Sequence, residues 1–528
     1  MIMFKLTPNL KEEDKWYVSS EQLKKDAGAL SFAEVLGLPI ELKGNSNLTT
    51  TKFSKIIPGV AIIDMIPSIG ISKDHNSLVN TAFRRIYSNI RAVNAGAKNY
   101  EYQDLAIINL CLGSLYAAHA HMRRTYRILR TYRGRNRNIP RSIFIGLGLD
   151  YDDFMSNMAD FRYRINLFTA KLNSLVGYGL PIFKRWYYTQ CNAYAEGDNN
   201  SDKAQLYLFN FKCWYKYQAY DALTGGRAEL VDAWNSQSIP TFQELTMDQY
   251  MSFFEGLLDV LYYDDDVSLI MGDTLKYIKD GERDQVEEVS ENEELQIILD
   301  LDVLSQIQNA TLVGELCTPC YITQSAANGG FIGFDPKFTQ PYNADWDPNS
   351  GTPSPWFPFG YAWPMSSLSV KANGLSTNRI LNSYKNDVSP SDVLRSSRLM
   401  VVGDLEDSNG IRSLTSSGTE IALYMRIVED PTVTFRDTFE HGNVLWYDVP
   451  IQLNSDCQGL ITDRASALFA KVEKFDFHPY AITMKCDYVM NTNDIIALYG
   501  DSDNYTIVSD TEINRFHNTC LITGYDIK

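Results

Sequence analysis

The chain has 528 residues and a mass of 60.0 kDa, which allows about two to four domains and excludes a peptide hormone or a disulfide miniprotein. With 45% hydrophobic and 21% charged residues, and with 32 Tyr and 25 Phe, the composition is that of a packed protein and excludes global disorder. The formal charge of −17 argues, as an average, against polyanion binding, yet residues 1–240 carry 30 Lys and Arg against 21 Asp and Glu while residues 241–528 carry 18 against 44. Halves of +9 and −26 point to one half facing a polyanion and the other facing solvent.

The opening segment, MIMFKLTPNLKEEDK, has mixed charges and no apolar run of signal-peptide length, so no export or transit signal is expected. From Ser77, the residues Val79, Phe83, Ile86, Ile90 and Val93 recur at helical spacing with Arg84 and Arg91 off that face, which predicts an amphipathic helix. The stretch 105–122 holds no charged residue and is barely long enough to span a bilayer. Asn109, Gly113, Ser114, His119 and His121 within it favour a core helix, continuing into RRTYRILRTYRGR and stopping near Gly134 to Pro140. After the acidic DYDD at 150–153, the series Phe154, Met158, Phe161, Ile165, Phe168, Leu172 and Leu175 predicts a third helix. Residues 241–263 and 290–308 are read as further helices.

The character changes near residue 312. Residues 335–364 hold seven prolines with Trp346, Trp356 and Trp363, too broken for regular elements and too aromatic for a solvated linker, so a packed irregular loop is expected. Beyond it AITMKCDYVM alternates with the period of a half-buried strand, and EIALYMRIV, TVTFRD, NVLWYDVPI and NYTIVSD read similarly. The expected class is α+β: a helical domain over 1–240, an acidic helical connection over 241–311 and a β-rich domain over 312–528.

Several patterns carry possible chemistry. Tyr262-Tyr263-Asp264-Asp265 between apolar flanks has the look of a polymerase hairpin in which paired aspartates hold two magnesium ions, although no upstream aspartate or nucleotide-binding segment completes it; the plain alternative is a solvated helix end. Cys317 and Cys320 have the spacing of half a zinc knuckle or of a redox pair, with no second half in reach. The eight cysteines are otherwise scattered, as free thiols in a reducing cytoplasm would be. His119 and His121, two apart on a helix, point to nearly opposite sides and read as buried, hydrogen-bonded residues. No nucleophile elbow or phosphate-binding loop is present, and Gly146-Leu-Gly148 reads as a turn. No cofactor or metal is expected.

Two charge runs oppose one another. Residues 280–302 contain ten Asp and Glu with the single Arg283, as in a solvent-facing linker or exposed helix, with a cation site or a basic partner as alternatives. Residues 105–149 contain eight arginines (Arg123, Arg124, Arg127, Arg130, Arg133, Arg135, Arg137, Arg141) and no acid, and these repel one another unless phosphates or carboxylates neutralise them. Arg123, Arg127 and Arg130 share a helical face. Contact with a nucleic-acid backbone is one reading; salt bridges to groups such as Asp150, Asp152, Asp153 and Asp160, or to a neighbouring subunit, are the other.

The blocks KWYVSSEQLKKDAGALSF at 15–32, PGVAIIDMIPSIG at 58–70, NTAFRRIYSNIRAVNAGAKNYEYQDL at 80–105, RTYRGRNRNIPRSIFIGLGLDYDDF at 130–154, NMADFRYRIN at 157–166 and SDKAQLYLFN at 201–210 together resemble, in order and spacing, the capsid proteins of picobirnaviruses. The resemblance runs over roughly residues 14–216. It implies a non-enzymatic coat protein of a double-stranded RNA virus, assembling through dimers into an icosahedral shell with a helical shell domain and a projecting domain, found in the virion and assembled in the host cytoplasm. Many relatives begin with a basic arm, whereas here Lys5, Lys11, Lys15, Lys24 and Lys25 are matched by Glu12, Glu13, Asp14, Glu21 and Asp26, which makes the arginines from 123 to 141 the candidates for facing packaged RNA. The alternatives are an RNA-binding enzyme of polymerase type using Asp264 and Asp265 with magnesium, and a coat protein of an unrelated virus or phage.

Overall fold

The computed structural model describes residues 20–28, 39–42, 53–56, most of 59–339, and 378–405, 411–428, 444–445, 451–452, 475–487, 492–500 and 503–527. At its centre lies a six-stranded sheet in which β1 (Val60–Pro67) is buried at every residue. That unbroken run, VAIIDMIP, suits a strand covered on both faces and not one with a wet side.

Helices follow β1 in series: α1 (Leu78–Val93), α2 (Tyr102–Thr131), α3 (Asn138–Leu147), α4 (Tyr151–Ser156), α5 (Met158–Ser174) and α6 (Pro181–Cys191). The chain then returns through the strands β2 (Ala193–Ala195), β3 (Leu206–Phe211), β4 (Cys213–Gln218) and β5 (Arg227–Asp232). β3 lies parallel to β1, with Val60 opposite Leu206 and Met65 opposite Phe211, so the helical series forms one long crossover between adjacent strands. α7 (Met247–Tyr262) and α8 (Asp265–Ile278) precede an acidic segment that ends in the two-residue strand β6 (Ile297–Ile298), and α9 (Leu301–Gln308) follows. β7 (Cys320–Ser325) pairs with β5, and β8 (Glu420–Val428) pairs antiparallel with β1 from Glu420 opposite Pro67 to Val428 opposite Val60.

The apolar stretch that raised the membrane question is α2, about 45 Å long. Its most apolar window is wholly buried in the protein, so it is the central core helix. Gly113 sets its distance to α6, since a Cβ there would stand 2.1 Å from the Phe183 ring. Gly148, at φ +70°, ends α3 in a conformation that side chains rarely adopt, whereas Gly146 and Leu147, read from the sequence as part of the same turn, still belong to the helix.

Several expectations change. The helix read over 154–175 is two helices, because Asn157 donates from its side-chain amide to the Asp153 carbonyl, closing α4, and stands outside helical geometry immediately before α5. The helix read over 241–263 starts at Met247, where Thr246 and Gln249 form a capping box. Of 290–308 only Leu301–Gln308 is helical: Asp300 accepts from the amides of Asp302 and Val303 and fixes the start there. The basic half contains strands from Ala193 to Asp232, and the C-terminal part ends in a helix, Asp510–Gly524, opened by a Ser509–Glu512 capping box. The strand patterns at 420–428, 481–487 and 504–509 form strands, NVLWYDVPI contributes short ones at Val444–Leu445 and Ile451–Gln452, and TVTFRD and the proline-rich run beyond residue 340 lie outside the described residues. The core crosses the compositional boundaries at 240 and 311, because β8 is an inner strand of the same sheet as β1.

Candidate functional site

The arginine run of α2 projects toward the acidic segment. Arg123, Arg127 and Arg130, at intervals of four and three, lie along one helical face, and residues 283–296 pass over it without regular secondary structure, turning at Glu291 and Asn292. Glu293 occupies the middle: Arg123 donates from Nε to its Oε1 at 2.8 Å and Arg127 from Nη2 to the same oxygen at 2.5 Å. Arg123 also reaches Glu287 at 3.0 Å and the Tyr187 hydroxyl at 3.0 Å. Arg130 donates to the Asn292 side-chain oxygen at 2.8 Å. Burial alone would raise the Glu293 carboxyl, but the hydrogen bonds from Arg123 and Arg127 outweigh it and hold the group below its usual range.

The backbone of this acidic strap is fastened as well as its side chains. Asn173 of α5 accepts from the Val286 amide at 2.9 Å and donates to the Val286 carbonyl at 2.9 Å. One heptad earlier Asn166 does the same with Val289, at 2.8 and 3.2 Å. Each side-chain amide thus imitates a strand partner for one residue of the strap. The Tyr126 hydroxyl donates to the Glu291 carbonyl at 3.2 Å, and the side chains of Val289 and Leu295 are buried beneath.

Arg124, one residue round the helix from Arg123, lies in the core and not on a surface. It is fully buried and donates from Nη1 to the Phe209 carbonyl at 2.7 Å and to the Thr189 and Asn192 carbonyls at 3.4 Å. Burial lowers it to about 10, so it stays charged at neutral pH. Arg141 donates to Asp152 at 2.6 Å and lies over the Tyr151 ring at 4.9 Å. Arg133, Arg135 and Arg137 lie outside the described residues.

Of the carboxylates expected to answer the arginines, Asp152 does so. Asp150 caps α4 and Asp153 accepts from the Met247 amide at 2.7 Å. The principal partners, Glu287 and Glu293, belong to the run read as a linker or exposed helix. The signal lay in the sequence as an uncompensated basic run and an uncompensated acidic run; nothing local indicated that a chain reversal of about 170 residues brings them together.

The other motifs resolve into structural roles. Asp264 accepts from the Val267 amide at 2.9 Å, closing the junction between α7 and α8, and Asp265 and Asp266 stand in the first turn of α8. This replaces the polymerase-hairpin reading with that of a capped turn. Cys320 opens β7 as a buried thiol that burial pushes up to about 12, and Cys317 is half-buried. No group of three or more potential metal ligands occurs among the described residues. His121 stands between the Tyr250 hydroxyl at 2.6 Å and Asn210 Oδ1 at 3.1 Å, while His119 stacks on Tyr187 on the other side of α2. Burial holds His121 well below its ordinary value, and burial with the charge of Arg123 puts His119 at about 3, so both are neutral at physiological pH.

A second charged arrangement lies inside the sheet. Arg426 of β8 donates to Asp64 of β1 through both Nε and Nη2, the latter at 2.9 Å, and Asn210 of β3 donates to the same carboxylate at 2.6 Å. Through His121 this network extends to Tyr250 on α7. All five of these residues are buried.

A family model described as picobirnavirus capsid protein matches residues 16–426. A capsid protein precursor of human picobirnavirus (strain Human/Thailand/Hy005102/-) is 24% identical over 539 positions, covering 97% of this chain and 90% of that protein. The X-ray crystallographic structure of the picobirnavirus capsid superimposes with a TM-score of 0.74 at 23% identity, covering 97% of this chain and 98% of the other.

Proposed function

The chain belongs to the picobirnavirus capsid protein family, and from that premise we propose that it assembles through dimers in the host cytoplasm into a shell that encloses double-stranded RNA by backbone charge. That it is a capsid protein and not an enzyme is given by the family, which also sets aside an unrelated virus or phage. Its work is therefore self-association into the virion shell. The observation that carries the proposal is the match over residues 16–426, which embraces both the basic run and the acidic strap.

The RNA-facing residues we propose are Arg130, Arg133, Arg135, Arg137 and Arg141. Arg130 and Arg141 flank residues 132–137 in the sequence; Arg130 donates to Asn292 and Arg141 pairs with Asp152, but Arg141 keeps 38% of its side chain exposed, against 11 and 12% for Arg123 and Arg127, and Arg124 is fully buried. Lys and Arg that neutralise phosphates release counterions, so loss of several should lower RNA retention and its salt sensitivity together. The shell domain we propose is the body around β1, β3 and β8, with the projecting domain drawn from the remainder of 312–528.

The test is to purify particles carrying Arg133→Ala, Arg135→Ala and Arg137→Ala together and to read nucleic-acid absorbance beside electron micrographs. Intact particles with reduced RNA are expected. Unchanged RNA content would remove the RNA-facing assignment, and absence of particles from the unsubstituted chain would remove the assembly proposal.

A further inference from the structure

The chain passes from one sheet to another through Cys317-Thr318-Pro319-Cys320. Upstream, the short strand Glu315–Leu316 pairs with Lys337–Thr339, and the Cys317 amide extends that pairing by donating to the Lys337 carbonyl at 2.9 Å. Downstream, Cys320 opens β7 and stands opposite Leu230 of β5, in a different sheet. Between them the backbone bends at Thr318 and at Pro319, and both of these residues are exposed. Residues on either side of a two-residue chain reversal have Cα atoms within about 7 Å, the separation that a disulfide bridges. Both cysteines are thiols in this structure.

We infer that Cys317 and Cys320 are a redox modification site, closing to an intrachain disulfide when the chain passes from a reducing to an oxidising medium. The inference stands apart from RNA contact and from assembly. Zinc, the other ligand that this spacing suits, needs four donors, and no group of three or more potential metal ligands occurs among the described residues.

The two sulfurs differ in a way that orders the exchange. Cys317 is half-buried beside the exposed bend, where a small disulfide such as glutathione disulfide reaches it, whereas Cys320 is only 7% exposed. Burial first, and then the charge of Cys317, raises the Cys320 thiol to about 12, so the two sulfurs lie within each other's electrostatic reach. The Cys317 thiolate attacks one sulfur of glutathione disulfide, the sulfur–sulfur bond breaks and one glutathione leaves as thiolate. Cys320 then gives its proton to water and attacks the Cys317 sulfur. The bond between Cys317 and Cys320 forms as the bond to the second glutathione breaks. The chain has lost two protons and two electrons, and glutathione disulfide has become two thiols. The closed ring ties the end of one sheet to the start of the next.

The test is peptide mapping of the full chain, purified reduced and then held folded in glutathione disulfide. The chain is unfolded in excess N-ethylmaleimide and the peptide carrying residues 317–320 is weighed. Expected is a peptide lighter by two hydrogens with neither cysteine blocked, restored by dithiothreitol, while the buried Cys111 and Cys213 remain available to the maleimide. Closure should quicken about tenfold per pH unit from about pH 7 to 9, because it draws on the Cys320 thiolate. Cys320→Ser should stop at the glutathione adduct on Cys317, and Cys317→Ser should leave Cys320 a thiol. An unsubstituted chain whose 317–320 peptide still takes up two maleimides, or holds glutathione on Cys317 with Cys320 blocked, overturns the inference. Either result leaves the capsid reading intact.

Discussion

Inside the sheet Arg426 meets Asp64 with neither side chain more than 3% exposed, whereas on α2 Arg123 and Arg127 meet Glu293 with 11 to 14% of each side chain still reached by water. Both join segments far apart in the chain, by 362 residues in the first case and about 170 in the second. The inner pair lies in a strand ladder that apolar side chains already hold, so its contribution is to register: a one-residue slip of β8 would leave a carboxylate and a guanidinium buried and apart. The outer cluster holds a segment with little secondary structure of its own, and there the charges and the two asparagine amides supply the fastening. Charge thus fixes register in the interior and anchors a strap at the rim.

Breaking the inner pair should have the larger effect. Arg426→Ala leaves Asp64 buried with only Asn210 as hydrogen-bond donor among the contacts described, and removal of one partner from a buried pair costs about 3–5 kcal/mol. Urea unfolding, or soluble yield where the loss exceeds the margin of stability, measures it. Replacing both residues together, Asp64→Asn with Arg426→Met, should recover much of the loss. If the double replacement is as unstable as the single one, the pair acts through more than its mutual charge.

The strap responds to acid separately. Glu293→Gln removes the charge that Arg123 and Arg127 share, and after discounting for water contact we expect a loss of about 1 kcal/mol. Because the folded carboxyl is held below its ordinary value of 4.5, its contribution is complete above that pH and disappears as pH falls through the lower folded value. His119 and His121 respond earlier. Their folded values lie below the ordinary 6.5, so the unfolded chain takes up protons that the fold refuses and stability declines from about pH 6.5 downward. Hydrogen exchange across a pH series should show the amides of Val286 and Val289 opening below about pH 4.5 in the native chain and at higher pH in Glu293→Gln. Opening of the strap in step with the histidine-dependent decline would mean that the two regions are one cooperative unit.

The sequence disclosed helices better than their neighbours. The spacing of Val79, Phe83, Ile86 and Ile90 states an inward face outright, and the uncharged stretch of α2 states a core helix, because local periodicity records burial. β1 was harder to see, since a strand buried on both faces alternates in nothing and VAIIDMIP fits a buried helix as well. The ends of α4 and of α9 depended on single side chains, Asn157 and Asp300, whose capping role competes with an otherwise continuous pattern. At the candidate site, the need for counter-charge around the arginines was legible and the supplier was not. Asp150, Asp152, Asp153 and Asp160 are near in sequence, yet Glu287 and Glu293 arrive by tertiary folding, which no local rule anticipates.

The smallest expected effect bears most directly on function. Arg141 pairs with Asp152, but the two side chains are 38 and 72% exposed, and pairs of that kind contribute about 0.2–1 kcal/mol. Arg141→Ala should therefore leave unfolding almost unchanged, unlike any substitution at Arg426 or Glu293. That indifference makes Arg141 informative: a drop in packaged RNA, measured by absorbance of purified particles, would reflect lost phosphate contact and not a weakened fold. At Arg123 the same drop would be ambiguous, because its guanidinium already fastens the strap through Glu287 and Glu293. Unaltered RNA content in Arg141→Ala would confine the proposed phosphate contacts to residues 130–137, whereas loss of assembly would place Arg141 in a contact between copies.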